Sequence, residues 1–210
     1  MVQQWRVPTR KRPVPEARLS TADWVAAALD AVAEDGLAGV AIEPLARRLG
    51  VTKGSFYWHF ADRDALLAAA LTHWESSHTE RIIDELEDVS DPRERLARLI
   101  GGVLAGGRSD RIHIALATAK HPVVRETLAR VTHRRLVYLQ SCYAELGQPQ
   151  REAHRSALLA YAAYVGMVHL RFEAPEELPA REARAAYVEH LIDKLVPGGA
   201  RTRTASRPEL

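Results

Sequence analysis

The sequence predicts an all-α fold, on three observations. Ala, Leu, Arg and Glu dominate, and aromatic residues make up 6% of the 210 positions, a composition that favours helix. Apolar residues recur at three- and four-residue spacing, which puts them on one face of a helix. The strict alternation of a half-buried strand appears nowhere, and we find no internal repeat. With 47% apolar residues the chain can bury a sizeable core, and its length suits one large domain or two small ones.

The elements follow in order. Residues 1–18, with several prolines and the run Arg10-Lys11-Arg12, read as a flexible basic arm. Ser20 is a good N-cap and Asp23, three residues on, completes a capping box. Trp24, Val25, Ala28, Leu29 and Val32 then give the apolar face of a first helix, and Gly36 ends it. A second, short helix runs from about Ile42 to Leu49, with Pro44 tolerated in its first turn and Leu45, Ala46 and Leu49 facing inward. Gly50 closes it. Thr52 is the candidate cap of a third helix over about Lys53 to Phe60. Asp62 starts a longer helix carrying Leu66, Leu67, Ala70, Leu71 and Trp74.

After residue 76 the pattern changes. Asp91-Pro92 opens a helix with Leu96, Leu99, Ile100 and Val103 on one face, which Gly101-Gly102 and Gly106-Gly107 should weaken or break. A short helix covers 110–119. Pro122 opens a long one with Val124, Leu128, Val131, Leu136, Leu139 and Tyr143 spaced for burial, ending at Gly147. Pro149 precedes a helix of about 150–172, and Pro179 the last, which ends near Val196. The polar tail 198–210 reads as disordered.

The most informative stretch is Gly50 to Phe60. A tight turn leads into a helix of about two turns, too short to be stable alone. It must lean on a neighbour, yet it ends in Phe56-Tyr57-Trp58-His59-Phe60, with large side chains left to present outward. Those needs describe the recognition half of a helix-turn-helix. Phe56 and Phe60, four residues apart, share the inner face and should pack under the first two helices with Val51 and Leu45. Gly54, Ser55, Tyr57 and Trp58 then point outward, His59 lies at the flank and Lys53 at the N-terminus. Gly54 lets the backbone approach a duplex closely, and Ser55 is small enough for a base edge or a phosphate. Tyr57 and His59 can donate to phosphates, and Lys53 can reach a guanine edge. Arg63 is expected to meet the DNA backbone just beyond. Taken singly, Lys53, Ser55 and Arg63 are ordinary solvated residues.

Residues 19–67 resemble the N-terminal domain of the TetR family of transcriptional regulators. The likeness is carried by Leu45-Ala46, Leu49-Gly50-Val51, the aromatic run, and Asp62-Arg63-Asp64-Ala65-Leu66-Leu67. The resemblance implies a three-helix DNA-binding domain over 19–66 and a helical effector-binding and dimerisation domain over 67–197. It implies a homodimer on a palindromic double-stranded operator, with Lys53, Ser55, Tyr57 and His59 at the DNA, and repression relieved by a small-molecule effector. Two positions depart from the family habit. Ala41 replaces the usual Thr or Ser cap of the second helix, a loss of about 1 kcal/mol. Glu43 stands where relatives often carry a basic or small polar residue, and we assign it to the helix dipole. The arm (Arg6, Arg10, Lys11, Arg12 and Arg18) either reaches DNA or merely solubilises the chain.

In the family the last two long helices form a four-helix dimer interface. Here they offer Ala157, Ala160, Ala162, Ala163 and Gly166, then Ala183, Tyr187, Val188, Leu191, Ile192 and Leu195. An effector pocket would lie among the helices between Asp62 and Gly147. Trp74, His113, Tyr138, Tyr161 and Tyr164 are its candidate liners, each with a plain core or surface role as the alternative. The family's tetracycline-binding members hold magnesium with a histidine, and no matching motif occurs here.

Other classes fare worse. Net charge is +2, so nucleic-acid binding must come from local clustering rather than bulk charge. The nine histidines are scattered without metal-ligand spacing, so we expect no metal and no cofactor. The single cysteine, Cys142, sits among apolar neighbours, where thiols are usually inert. No nucleophile elbow, phosphate loop or paired acid/base pattern argues for an enzyme. Asp110, His113 and His121 alone do not make one, although a helical enzyme or an interaction module without DNA binding are the rival readings. The N-terminus lacks a signal sequence and no segment is long enough to span a bilayer, so the expected setting is the cytoplasm.

Overall fold

A computed structural model describes residues 19–105 and 108–198; within them the elements are helices and turns, with no strand among the described residues. The expected arm over 1–18 and all but the first residue of the expected tail lie outside them.

The first helix, α1 (Thr21–Asp35), begins at the expected capping box. Asp23 N–H donates to Ser20 Oγ at 3.3 Å, and Ser20 N–H donates back to Asp23 Oδ2 at 2.7 Å. All five expected apolar positions are buried. Gly36 ends the helix at φ +69°, a conformation that suits glycine. A 3-10 turn, Gly36–Gly39, carries the chain to α2 (Ile42–Arg48). At Gly39 a Cβ would stand 2.8 Å from the Ala31 carbonyl oxygen, so the turn lies directly on α1. Ala41 caps α2 without any side-chain bond.

The third helix is shorter than expected. α3 is only Lys53–Phe56, and residues 57–59 follow as turns. The N–H groups of Trp58 and His59 reach back three residues, to Ser55 and Phe56. That is the tighter 3-10 pattern by which helix ends close. Thr52 occupies the cap position, but its hydroxyl accepts nothing; its backbone carbonyl receives Ser55 N–H at 3.0 Å. Asp62 does cap α4 (Arg63–Glu75), accepting Ala65 N–H at 2.8 Å.

The change of pattern after residue 76 does not end the helix. α4 runs through a π-turn, Ser76–Glu80, into α5 (Arg81–Glu87), a helix the sequence reading missed. Ser77 Oγ satisfies the His73 carbonyl at 2.6 Å inside this stretch. Nor do Gly101 and Gly102 interrupt α6 (Pro92–Ala105). Gly101 is packed beneath the last helix, where a Cβ would meet Val188 at 3.9 Å, and tertiary packing outweighs the weak propensity of glycine. The Val103 side chain and Gly106-Gly107 fall outside the described residues.

α7 (Arg108–Ala117), α8 (Pro122–Glu145), α9 (Gln150–Glu173) and α10 (Arg184–Leu195) follow at the expected places. The α8–α9 pair makes the most extensive contact in the molecule. Two apolar clusters result. The first joins α1, α2, α3 and α4 to Ile112 and Leu116 of α7 and to Val124 and Val131 of α8. It therefore runs unbroken across residues 66 and 67. The second gathers Ile83 and Leu86 of α5, Leu96 and Ile100 of α6, and the far ends of α8 and α9. Tyr143 fastens α10 to it by donating to the Leu195 carbonyl at 2.8 Å.

Candidate nucleic-acid interface and interior cavity

Phe56 is fully buried and anchors the reading head. Its ring meets Trp24 edge-on at 5.3 Å and stacks on Phe60 at 5.7 Å. With the inner face filled, the other aromatics have nowhere to go but out. Tyr57 leans its edge on Phe56 at 5.3 Å while remaining 55% exposed, and Trp58 is 89% exposed. The two exposed aromatics stand side by side in sequence on the outward side of the reading head. Gly54 opens outward: a Cβ there would meet only the Thr52 hydroxyl, at 3.7 Å. Ser55 and His59 are half-buried, and His59 Nδ1 lies 3.2 Å from Thr21 Oγ1, which fixes its ring against the start of α1.

Lys53 is exposed, and its Nζ sits 2.9 Å from Glu43 Oε1. This hydrogen bond holds the Glu43 carboxyl below its usual range and the Lys53 ammonium above its own. Glu43 does lie in the first turn of α2, but an ion pair adds to the dipole role assigned from sequence. Arg63 makes contacts within the chain that its type and position did not suggest. Its Nε donates to the Val40 carbonyl at 2.6 Å and its Nη2 to the Leu37 carbonyl at 2.7 Å. It thus ties the start of α4 to two carbonyls of the 3-10 turn and its exit, just before α2.

The C-terminal helices enclose a cavity of about 540 Å³, within the range of roughly 300–1,000 Å³ usual for small-molecule sites. Tyr138, Tyr161 and Tyr164 line it. Trp74 and His113 do not; they stand one layer behind. Trp74 lies 6.2 Å from His113, and His113 lies 5.9 Å from Tyr164, ring to ring. Burial first, and the charge of Arg135 second, push the His113 pKa down to about 4, so it is neutral. Burial also pushes Tyr138 up to about 12.

The sequence reading missed Arg135 and the α5 residues Ile82, Ile83 and Leu86, all of which line the cavity. A signal existed for Arg135. It falls between Val131 and Leu139 on the apolar stripe of α8, a position where a cation is out of pattern. Its guanidinium lies 5.8 Å from the Trp74 ring centre and 5.6 Å from that of Tyr164. Asp110, also a liner, pairs with Arg171. Cys142 is buried and its thiol is pushed up by burial. Among the described residues no group of three or more His, Cys, Asp or Glu could hold a metal ion.

On α9, Ala157 and Ala160 are buried within the subunit, so these two small residues serve intramolecular packing. Ala162 and Gly166 are exposed on the same helix, with Leu158, Leu159, Leu170 and Phe172. No described helix is long and apolar enough to cross a membrane.

Comparison with known proteins agrees with this layout. Residues 25–70 match the family model described as bacterial regulatory proteins, tetR family. The chain is 30% identical over 183 residues to the HTH-type transcriptional regulator BetI 2 of Chromohalobacter salexigens, covering 82% of this chain and 86% of that protein. It is 27% identical over 194 residues to the HTH-type transcriptional regulator TtgR of Pseudomonas putida, covering 87% and 82%. A transcriptional regulator from Rhodococcus sp. Rha1 superposes with a TM-score of 0.69 at 25% identity, over 85% of this chain and 94% of that one.

Proposed function

Since this chain belongs to the TetR family of bacterial regulatory proteins, we propose that it acts in the cytoplasm as a homodimeric repressor, released from a palindromic operator when a small molecule fills its cavity. The observation that carries the DNA half is the pairing of a locked Phe56 with an outward Tyr57 and Trp58. Lys53, Gly54, Ser55, Tyr57, Trp58 and His59 make the contact surface. Tyr57 and His59 bind phosphates, and Lys53 swings from Glu43 to the major groove. Arg63 sits at the edge of this surface and serves it chiefly by bracing the turn before α2.

Two copies join through α9 and α10. Leu158, Leu159, Leu170 and Phe172 line one exposed apolar helix face, and such faces mark interaction surfaces. A two-fold pair presents two heads, which suits half-sites about 34–36 Å apart. We divide the chain into a reading domain, 19–66, and an effector and dimer domain, 67–197. The helix from Arg63 onward links them, because its continuation past the π-turn forms a wall of the cavity. A ligand shifts the balance only through its different affinity for the two conformers.

The test is a fluorescence-anisotropy titration with DNA from upstream of this protein's own gene, against scrambled DNA, over a series of salt concentrations. The proposal expects tight, selective, salt-sensitive binding that weakens in Tyr57→Ala. Equal weak binding to every sequence, in that region and in a genome-wide selection, would remove it.

A further inference from the structure

We infer that the cavity takes an organic anion with an apolar body, and that Arg135 is the residue that receives its carboxylate. The inference deepens the effector reading above and rests on it. Among the described residues four charged side chains line the cavity, Glu85, Arg98, Asp110 and Arg135, and three of them are already paired. Glu85 pairs with Arg81 at 3.2 Å, Arg98 with Glu94, and Asp110 with Arg171. Arg135 has no such neutraliser. Its Nε donates to Thr79 Oγ1 at 3.1 Å, its Nη2 to the His78 carbonyl at 3.1 Å and its Nη1 to the Tyr164 hydroxyl at 3.4 Å. The rings beside it, Trp74 and Tyr164, are neutral too. Among the described residues no carboxylate pairs with it.

An unneutralised cation in a half-buried setting favours an anion strongly. A second N–H remains on each terminal nitrogen and can donate to a carboxylate. Most of the remaining wall is aliphatic, with Ile82, Ile83, Leu86, Leu99, Ile100 and Leu139, and Tyr138, Tyr161 and Ser109 are among the rest. That wall and the volume exclude a bare inorganic ion as the natural fit and ask for a hydrocarbon body. A cationic ligand would find Asp110 already occupied. The carboxylate would share the guanidinium that already holds His78 and Thr79, the two π-turn residues at the cavity, so occupancy is felt where α4 meets α5.

The experiment uses the full-length protein and three probes of equal chain length: decanoate, decanol and decyltrimethylammonium. Binding is read by calorimetry and by thermal shift. We expect saturable decanoate binding, one per chain and tighter than either other probe by about tenfold or more. Arg135→Gln should erase the preference and Arg135→Lys should keep part of it. Equal affinity for decanol, preference for the ammonium, absence of saturable decanoate binding, or an unchanged preference in a folded Arg135→Gln would each overturn the inference. If the glutamine variant does not fold, the three-probe comparison on wild type decides alone. Operator titration with and without decanoate separates the two levels. Decanoate that binds through Arg135 yet leaves DNA affinity unchanged would refute the effector reading and leave the ligand class standing.

Discussion

Replacing Arg63 with Met separates a bracing role from a DNA contact. The guanidinium satisfies two carbonyls, those of Val40 and Leu37, and the Val40 residue is fully buried. Hydrogen bonds from a charged donor contribute about 1.5–3 kcal/mol each. The Arg63 side chain is 36% exposed, so water can replace part of what is lost, and the lower end applies. The expected loss is about 2–3 kcal/mol, since methionine keeps the stem but offers no donor. At this chain length that corresponds to a fall in Tm of roughly 4–12 °C. The assay pairs a melting curve with operator titration at several salt concentrations. A bracing residue lowers Tm and leaves the salt slope alone. A phosphate contact lowers the slope by about 0.9. An unchanged Tm with a reduced slope would refute the reasoning and return Arg63 to the DNA surface.

Three further outcomes are expected. Tyr57→Ala should melt within about 0.5 kcal/mol of wild type yet lose about 1 kcal/mol of operator affinity; a matching loss of Tm would mean the ring is core. Gly39→Ala should cost about 1–3 kcal/mol by denaturant titration, because its Cβ meets the Ala31 carbonyl oxygen at 2.8 Å; an unchanged midpoint would contradict that packing. His113, with a folded pKa of about 4 against an ordinary 6.5, takes up a proton more readily when unfolded. Stability present above pH 6.5 should therefore drain away as pH falls to about 4, by on the order of 2–3 kcal/mol. His113→Phe should flatten most of that decline in Tm, leaving a smaller part from His78, whose pKa burial also lowers; an equal decline in the variant would assign it to other groups.

The parts legible in the sequence were those set by local chemistry. Ser20 and Asp23, Asp62, Gly36 and Gly50 each mark a helix end by a bond or a φ that few other residues supply. The buried faces of α1 and α4 followed from spacing alone. What was missed depended on tertiary context. Gly101 and Gly102 read as breakers, but α10 packs over Gly101 and the helix runs on through both. Residues 81–87 carry Ile82, Ile83 and Leu86 at helical spacing, yet only two turns of it, and the unusual π-turn before them hides the continuity. Trp74 and His113 were sensible cavity candidates by type; whether a ring lines a wall or backs it is decided by packing, and here Arg135, over Trp74 and Tyr164, and Tyr164, against His113, stand in front of them. No local pattern shows that its neighbours are all neutral.

The π-turn at Ser76–Glu80 also sets a phase. Its bonds span one more residue per turn than those of an α-helix, and each residue of an α-helix turns the chain by about 100°. The turn absorbs its extra residue, so deleting one residue there would restore the α-helical repeat and leave Ile82, Ile83 and Leu86 facing the cavity. The same deletion inside the regular turns of α5, before Ile82, has no such slack and would swing those three side chains by about 100°. The π-turn is thus the one stretch between α4 and α5 where a change of length need not become a change of face, and α7 and α8 keep their packing on α1 and α4 either way.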